Sequence, residues 1–312
     1  MGFLLLILFC ADQEPSMQVT SNGINIEVED HGNPEDPAIL LVMGYTAQLV
    51  YWPMDFVNAL VEQGFRVVTF DNRDVGLSYK YDGVRAPHPI RQMITKRFFA
   101  KRQMAPYNLS DMARDAVGVL DALKIDRAHI VGASMGGMIG QLIAANHADR
   151  VLSFTPIMSS TNGPGLPGAS AEVRTVLMRT ARAKTKTPDE ALELGLAFSS
   201  LIASEEGRGR PDERRAMMKL AQERAFYPPG PKRQMAAIID TGNLRPVAQR
   251  IAVPTLVIHG ADDPLIPSAC GQDIAEHVKN ARFELVEGMG HDLPPSKLPM
   301  LAELIGAHCK AA

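Results

Sequence analysis

A serine flanked by small residues is the first feature of this sequence that could do chemistry. Ser134 lies at the centre of residues 132–136, Gly-Ala-Ser-Met-Gly, which match the pattern G-x-S-x-G. An apolar segment, 128–131, runs directly into this pattern, and a helical pattern follows it at once. Such a strand-turn-helix setting is typical of a strained turn that presents a nucleophilic serine at the carboxyl end of a sheet. A glycine-rich turn with a capping serine is the plain structural alternative.

A serine hydroxyl is a weak nucleophile until a base takes its proton, and histidine suits that role near neutral pH. His291 follows the last predicted strand, 282–286, in a loop from which its side chain can reach across the sheet edge. A surface histidine without a catalytic role is the alternative. The other histidines lie in turns, at strand ends or on predicted helices: His31, His88, His129, His147, His259, His277 and His308.

An acid must orient the histidine, and the loop after the predicted strand 255–258 offers two adjacent aspartates. Asp263 is the better candidate because Pro264, the next residue, restricts its backbone. Asp262 is the alternative. Ser134, Asp263 and His291 each follow a different predicted strand, so the carboxyl ends of those strands would bring them together.

Acyl transfer also requires hydrogen-bond donors for the oxyanion that forms on the substrate. One donor would be the backbone N–H of Met135, which directly follows the serine. The second should come from the loop after the predicted strand 38–42, where we choose the backbone N–H of Tyr45, just past Gly44. An ordinary strand-to-helix connection is the alternative for that loop.

The elements that must position these residues alternate between strand and helix. Alternating apolar residues at 24, 26 and 28 predict a half-buried strand, and short apolar runs predict buried parallel strands at 38–42, 66–70, 129–131, 150–154, 255–258 and 282–286. The strand from 150 is expected to end before Pro156. Helical patterns cover 56–62, 109–123, 135–146 and 298–308, with Ser110 as the cap of the second.

The alternation stops between about 161 and 250, where Gly/Pro loops and charged helical stretches at 172–183 and 212–225 replace the strands. The sequence therefore predicts an α/β fold, a mostly parallel sheet with helices on both faces, interrupted by an insertion. The expected divisions are an apolar extension at 1–16, a core domain at 17–160 and 251–312, and a helical cap at 161–250.

Length, net charge and cysteine content limit the kinds of protein and partner that this sequence can represent. The chain has 312 residues, a net charge of −3 and 46% hydrophobic residues, enough for a substantial core. We expect no nucleic-acid partner, because the near-neutral charge balance does not indicate the clustered basic face that a phosphate backbone requires. The local basic runs at 96–97 and 101–102 are interpreted as solvated faces. Cys10, Cys270 and Cys309 are widely scattered, which favours neither a metal site nor a disulfide scaffold and suits a reduced, cytoplasmic setting.

The first residues form an apolar run, Gly2 to Phe9. It is too short to cross a bilayer, which takes about 20 apolar residues. It also lacks the basic start and the small residues of a signal peptide. We favour a non-targeting extension over membrane association through residues 1–10. An interfacial anchor or a remnant signal, with a secreted or membrane-associated protein, is the alternative.

Charged residues after the strand 66–70 have a structural interpretation. We expect Asp71, Arg73 and Asp74 to lock the turn by hydrogen bonds rather than to act in catalysis, with Gly76 allowing the bend. Packing is the expected role of four methionines: Met158, Met178, Met217 and Met218.

The sequence resembles the α/β-hydrolases in five segments, and the chain order Ser, Asp, His is theirs rather than that of chymotrypsin or subtilisin. The segments are 41–44, 71–78, 132–136, 259–264 and 288–292. Within that family the sequence is similar to esterases of the aclacinomycin methylesterase type, where Met-Gly replaces the commoner His-Gly at the oxyanion loop. The resemblance covers about Met17 to His308. It implies a cap over the pocket and a two-step, acyl-enzyme hydrolysis without a cofactor.

We therefore expect a serine carboxylesterase that acts on small to medium apolar esters, with neither cofactor nor metal. Lactonase, amidase, C–C bond hydrolase or perhydrolase chemistry is the alternative on this fold, and a non-catalytic binding protein is another. Ser134 argues against haloalkane dehalogenases and epoxide hydrolases, which use an aspartate nucleophile. The sequence indicates neither the natural substrate nor the oligomeric state.

Overall fold

The computed structural model describes residues 16–99, 102–182 and 187–312. In these ranges eight strands form one sheet, in the spatial order β1-β2-β4-β3-β5-β6-β7-β8. Strands β3 to β8 run parallel, whereas β1 and β2 are antiparallel to their neighbours. The strands are β1 (Met17–Ser21), β2 (Ile24–His31), β3 (Ala38–Val42), β4 (Arg66–Phe70), β5 (Ala128–Ala133), β6 (Val151–Ile157), β7 (Leu256–Gly260) and β8 (Arg282–Val286).

Helices cover both faces of the sheet. The helices that pack against the strands are α1 (Met54–Val61), α3 (Leu109–Ala122), α4 (Met135–Asn146), α11 (Ser268–His277) and α12 (Leu298–Lys310). Helix α2 (Pro89–Phe98), between β4 and α3, packs instead against a helix from the segment between β6 and β7. Successive side chains of β3 point to opposite faces. Ile39 and Leu41 pack in the core formed with α1 and α12, while Leu40 and Val42 pack in the core formed with α3, α4 and α11. The predicted α/β architecture is confirmed.

Between β6 and β7 the described residues are helical and contain no strand. The helices are α5 (Ala171–Arg182), α6 (Pro188–Ile202), α7 (Glu205–Arg208), α8 (Pro211–Arg224), α9 (Gly230–Thr241) and α10 (Arg245–Ala248). We call residues 161–250 the insertion. Helices α6 and α9, which the charged patterns did not indicate, belong to it.

Strand β1 was not predicted from the sequence. It pairs with β2 through a two-residue turn, Asn22-Gly23, in which both residues have positive φ, 48° and 78°. Asn-Gly is the strongest short-range signal for such a hairpin, so the information was present in the sequence.

The expected end of β6 before Pro156 is wrong, since the strand continues to Ile157. The N–H groups of Phe154 and Met158 bond to Pro254 and Ile258 on the β7 side, at 2.9 Å each. Because strand N–H groups alternate in direction, the missing N–H of Pro156 falls on that side too. Strand β6 has few register pairs with β7, so the strand tolerates the missing N–H of Pro156 on that side. On the other side Pro156 is in register with Gly132 of β5.

The cap of α3 is Asn108, not Ser110. The Asn108 side chain accepts hydrogen bonds from the N–H groups of Ser110 and Asp111, at 2.8 and 3.3 Å. The Asp111 carboxylate accepts the Asn108 N–H in return, at 2.8 Å. This reciprocal pair is a capping box, and its first residue stands two positions before the predicted one.

Asp71 and Asp74 lock the turn after β4 as predicted, whereas Arg73 bonds both to the Tyr81 hydroxyl, at 2.9 Å, and to Asp115 of α3, at 2.6 Å. Asp71 accepts the N–H groups of Leu49 and Leu77, at 2.7 and 2.8 Å, and Asp74 accepts that of Tyr81 at 2.9 Å. Gly76 has φ of 55°, and a Cβ there would lie 1.9 Å from the Asp71 carboxylate.

Two of the four methionines expected to pack, Met158 and Met218, do so, whereas Met217 is half-buried and belongs to neither core. Met158 is buried in the core with α1 and α12. The sulfur of Met218 lies 3.8 Å from Ser199 Oγ, between α8 and α6. The side chain of Met178 lies outside the described residues.

The apolar run Gly2 to Phe9 and Cys10 also lie outside the described residues. Within the ranges described, none of the helices combines the length and the apolar character needed to cross a membrane. Cys270 and Cys309 are buried free thiols.

Candidate active site

Ser134 occupies a strained turn between β5 and α4. Its φ of 54° and ψ of −117° belong to a region that residues with a side chain rarely adopt. Two hydrogen bonds hold the backbone there. The Ser134 N–H donates to Ile157 O at 2.9 Å, and Ser159 Oγ donates to Ser134 O at 2.8 Å. The end of β6 and the residues just after it therefore hold both the N–H and the C=O of the strained residue.

The two glycines of the pattern permit close backbone approach around this turn. A Cβ at Gly132 would lie 2.3 Å from Gly136 O, and a Cβ at Gly136 would lie 1.9 Å from Val42 O. Both contacts involve backbone, which cannot swing aside as a side chain can. Only glycine lets β5, α4 and the end of β3 meet here.

His291 brings its ring to the serine. Its Nε2 lies 3.0 Å from Ser134 Oγ, and its Nδ1 lies 2.7 Å from Asp263 Oδ2. A carboxylate can only accept hydrogen bonds, so Nδ1 carries the proton and Nε2 offers its lone pair to the serine hydroxyl. The structure thus joins Ser134, His291 and Asp263 in one chain of hydrogen bonds.

Asp263 is fully buried and ionised. Its second oxygen, Oδ1, accepts the N–H groups of Leu265 and Ile266, both at 2.9 Å. Burial alone would raise the pKa of this carboxyl group. The neighbouring imidazoles of His291 and His259 and the backbone donors outweigh burial and lower the pKa to about 2. The negative charge beside His291 is therefore present throughout the ordinary pH range.

Asp262, the alternative acid, lies elsewhere. Its side chain is exposed, and its N–H donates to Met289 O at 3.1 Å. The structure brings Asp263, rather than Asp262, to the imidazole.

The two expected oxyanion donors have free N–H groups. Among the described residues neither the Met135 N–H nor the Tyr45 N–H has a hydrogen-bond acceptor. Met135 opens α4, where first-turn N–H groups have no acceptor within the helix. Tyr45 follows Gly44, at which a Cβ would lie only 3.8 Å from Ser134 Oγ. Both donors are therefore carried by segments that adjoin the serine.

The insertion holds the loop that carries Tyr45. The Thr46 N–H donates to Gln234 Oε1 at 2.9 Å, and the Tyr45 hydroxyl donates to Pro231 O at 3.0 Å. Burial raises the pKa of Tyr45 to about 12, so the phenol remains a donor. Helix α9 thus fixes both the backbone and the side chain of this loop.

The insertion also holds the loop that carries His291. The His291 N–H donates to Ile202 O at 2.8 Å. Asp292 accepts from Ser204 twice, from its N–H at 2.9 Å and from its hydroxyl at 2.8 Å. A Cβ at Gly290 would lie 2.6 Å from Ser204 N. The end of α6 and the start of α7 therefore clamp the loop on both sides of the histidine.

Sequence reasoning missed two features of this site. His259 was assigned no role, yet its buried Nε2 bonds to Ile266 O at 2.8 Å and lies 3.6 Å from Asp263 Oδ2. Its position four residues before Asp263 was the available signal. The Ser204–Asp292 clamp had no signal, because its partners are 88 residues apart.

The described residues contain no cluster of three or more histidine, cysteine, aspartate or glutamate side chains that could hold a metal ion.

Comparison with known proteins identifies related chains. The family described as the alpha/beta hydrolase fold matches residues 37–297. Rhodomycin D methylesterase DauP of Streptomyces sp. (strain C5) is 28% identical, over 96% of this chain and 99% of the relative. The putative carbamate hydrolase RutD of Caulobacter segnis is 30% identical, over 87% of this chain and 91% of the relative.

A solved structure agrees with the fold. The enol-lactonase from Burkholderia xenovorans LB400 superimposes with a TM-score of 0.73 at 24% identity, over 94% of this chain and 100% of that chain.

Proposed function

The chain belongs to the alpha/beta hydrolase fold family, and from this premise we propose that it is a serine carboxylesterase for small to medium apolar esters. The observation that carries the proposal is the hydrogen-bonded chain Ser134–His291–Asp263, with distances of 3.0 and 2.7 Å. Its similarity to a methylesterase along nearly the whole chain supports a carboxylic ester as the substrate class.

In the first half of the reaction, Ser134 Oγ attacks the ester carbonyl carbon while His291 Nε2 takes the hydroxyl proton. Asp263 stabilises the imidazolium that forms and keeps the proton on Nδ1. The tetrahedral oxyanion accepts hydrogen bonds from the N–H groups of Met135 and Tyr45. His291 then returns the proton to the leaving alcohol as the C–O bond breaks, which leaves the acyl group on Ser134.

In the second half, water attacks the acyl-enzyme while His291 Nε2 again takes the proton. The tetrahedral intermediate collapses, the carboxylic acid leaves, and Ser134 recovers its proton. Each step uses only side chains and backbone groups of this chain together with ester and water.

We further propose that the insertion, residues 161–250, is a cap that shapes the substrate pocket. Its contacts with Tyr45, Thr46 and His291 support this, because they place it against two loops of the site. Lids of this kind control access and exclude water. The proposed partner is a small-molecule ester. The proposed location is the cytoplasm, because the two buried free thiols suit a reducing compartment.

The test is Ser134→Ala, assayed on ester substrates that vary separately in acyl and alcohol size, with a lactone and a carbamate alongside. We expect ester turnover to fall by about 10⁴-fold or more with unchanged folding. A fluorophosphonate should label the wild-type protein and spare the variant. Near-normal ester turnover by Ser134→Ala would contradict the proposal, and wild-type activity on the carbamate or lactone alone would replace the ester as the substrate.

A further inference from the structure

Helix α2 exposes a continuous apolar stripe. Ile90, Met93, Ile94 and Phe98 are each between 56 and 71% exposed, and Phe99, directly after the helix, is 63% exposed. Their spacing of three, four and eight residues from Ile90 places the four helical positions on one face. An ordinary surface helix turns such a stripe toward the core.

The opposite face of α2 attaches the helix to the protein by polar contacts. Gln92 is fully buried, and its amide donates to Ala236 O at 2.7 Å and to Asp240 Oδ1 at 3.2 Å. Lys96 Nζ lies 3.7 Å from Asp240 Oδ1. Helix α2 is therefore fixed to α9 with its polar side inward, so the outward apolar stripe follows from the way the helix is held.

The segment around the stripe is cationic. Residues 83–110 contain six lysine and arginine residues and neither aspartate nor glutamate. Arg85, Arg91 and Arg102 are exposed. A basic fringe beside an apolar face is typical of helices that lie in the interface of an anionic membrane. At 10 residues, α2 is far too short to span a bilayer.

We propose that α2 docks this protein on an anionic phospholipid surface. The stripe enters the boundary between headgroups and acyl chains, and the arginines contact lipid phosphates. The positive charge beside the stripe favours an anionic surface over a second copy of the chain. Two copies that met at α2 would bring their exposed arginines together, and these would repel each other. The proposal concerns a surface separate from Ser134 and holds whatever reaction the site performs.

The experiment is sedimentation of the full chain with vesicles of phosphatidylcholine alone and with about 30% phosphatidylglycerol. We expect binding to the anionic vesicles only, weakened as salt screens the charges. The double variant Ile94→Gln/Phe98→Gln should lose at least about tenfold in partition coefficient, because two apolar side chains no longer enter the lipid. Arg91→Gln/Arg102→Gln should lose about tenfold through charge.

Leu220→Gln is the matched control, since Leu220 is an exposed apolar residue of another helix, α8, at 49% exposure. It should bind as the wild type does. Every variant keeps residues 1–15, so any binding through that segment is common to all. Equal binding by the α2 variants and the wild type would overturn the proposal. Failure of the wild type to bind anionic vesicles would overturn it as well. Self-association measured by analytical ultracentrifugation and abolished in the Ile94→Gln/Phe98→Gln variant would then identify a second copy of the chain as the occupant.

Discussion

Replacing Asp263 by asparagine tests how the acid acts on the histidine. The Leu265 and Ile266 N–H groups occupy Oδ1, so the amide oxygen of asparagine would take that place and its NH₂ group would face His291. The imidazole must then accept at Nδ1 and carry its proton on Nε2, where it can no longer receive the proton of Ser134. We expect kcat to fall by about 10⁴-fold, or about 5.5 kcal/mol of transition-state stabilisation.

The same variant should lose some stability. The pKa of Asp263 is lowered from 3.8 to about 2 in the folded protein, which corresponds to about 2 kcal/mol. This stability is present above the unfolded pKa and is lost as pH falls through the folded value. Asp263→Asn would lack it at neutral pH, so folding must be checked by thermal denaturation beside the esterase assay.

Asp262→Asn is the matched control, because Asp262 is adjacent and exposed. It should retain activity within about twofold, as surface substitutions generally do. A larger loss from Asp262→Asn than from Asp263→Asn would refute the tautomer argument, and so would a folded Asp263→Asn variant with wild-type kcat.

Three further predictions concern the His291 loop, a buried histidine and the proposed cap. Asp292→Ala removes both bonds to Ser204 and should lower kcat about tenfold with KM little changed, whereas Asp292→Asn should recover part of the loss in steady-state kinetics. Burial, His308 and Arg127 lower the pKa of His129 to about 4, so stability present above pH 6.5 should decline by about 3 kcal/mol as pH falls toward 4. Urea unfolding should show a flatter decline for His129→Gln. Replacing Leu196 or Phe198 of α6 by alanine should alter the preference between short and long esters more than the melting temperature; unchanged selectivity would count against the cap.

Local patterns accounted for the placement of the proposed nucleophile, acid and base. Ser134 could be predicted because a buried strand, a glycine-flanked turn and a helix are contiguous in the chain. Asp263 and His291 followed from the rule that carboxyl ends of parallel strands meet at one edge of a sheet. These inferences needed only the order of the strands along the chain.

Contacts between distant segments could not be predicted in the same way. The Ser204–Asp292 pair and the Thr46–Gln234 bond each join residues more than 80 positions apart. A single polar pair leaves no periodic trace in sequence, unlike a strand or a helix. Helix α2 was not predicted for a different reason. Hydrophobic periodicity assumes that the apolar face of a helix is buried, whereas the apolar face of α2 is exposed and Gln92 is buried instead.

The two buried aspartates after β4 need cationic partners as well as backbone donors. Asp71 and Asp74 satisfy the turn through backbone N–H groups, but a buried carboxylate that lacks a cation remains costly. The insertion supplies the cations: Arg224 pairs with Asp71, and Arg233 pairs with Asp74 through two bonds of 2.7 and 2.8 Å. Burial still raises the pKa of Asp71 despite Arg224. Acids predicted only to lock a turn therefore also anchor α8 and α9, and through Gln234 of α9 that anchorage extends to the loop carrying Tyr45.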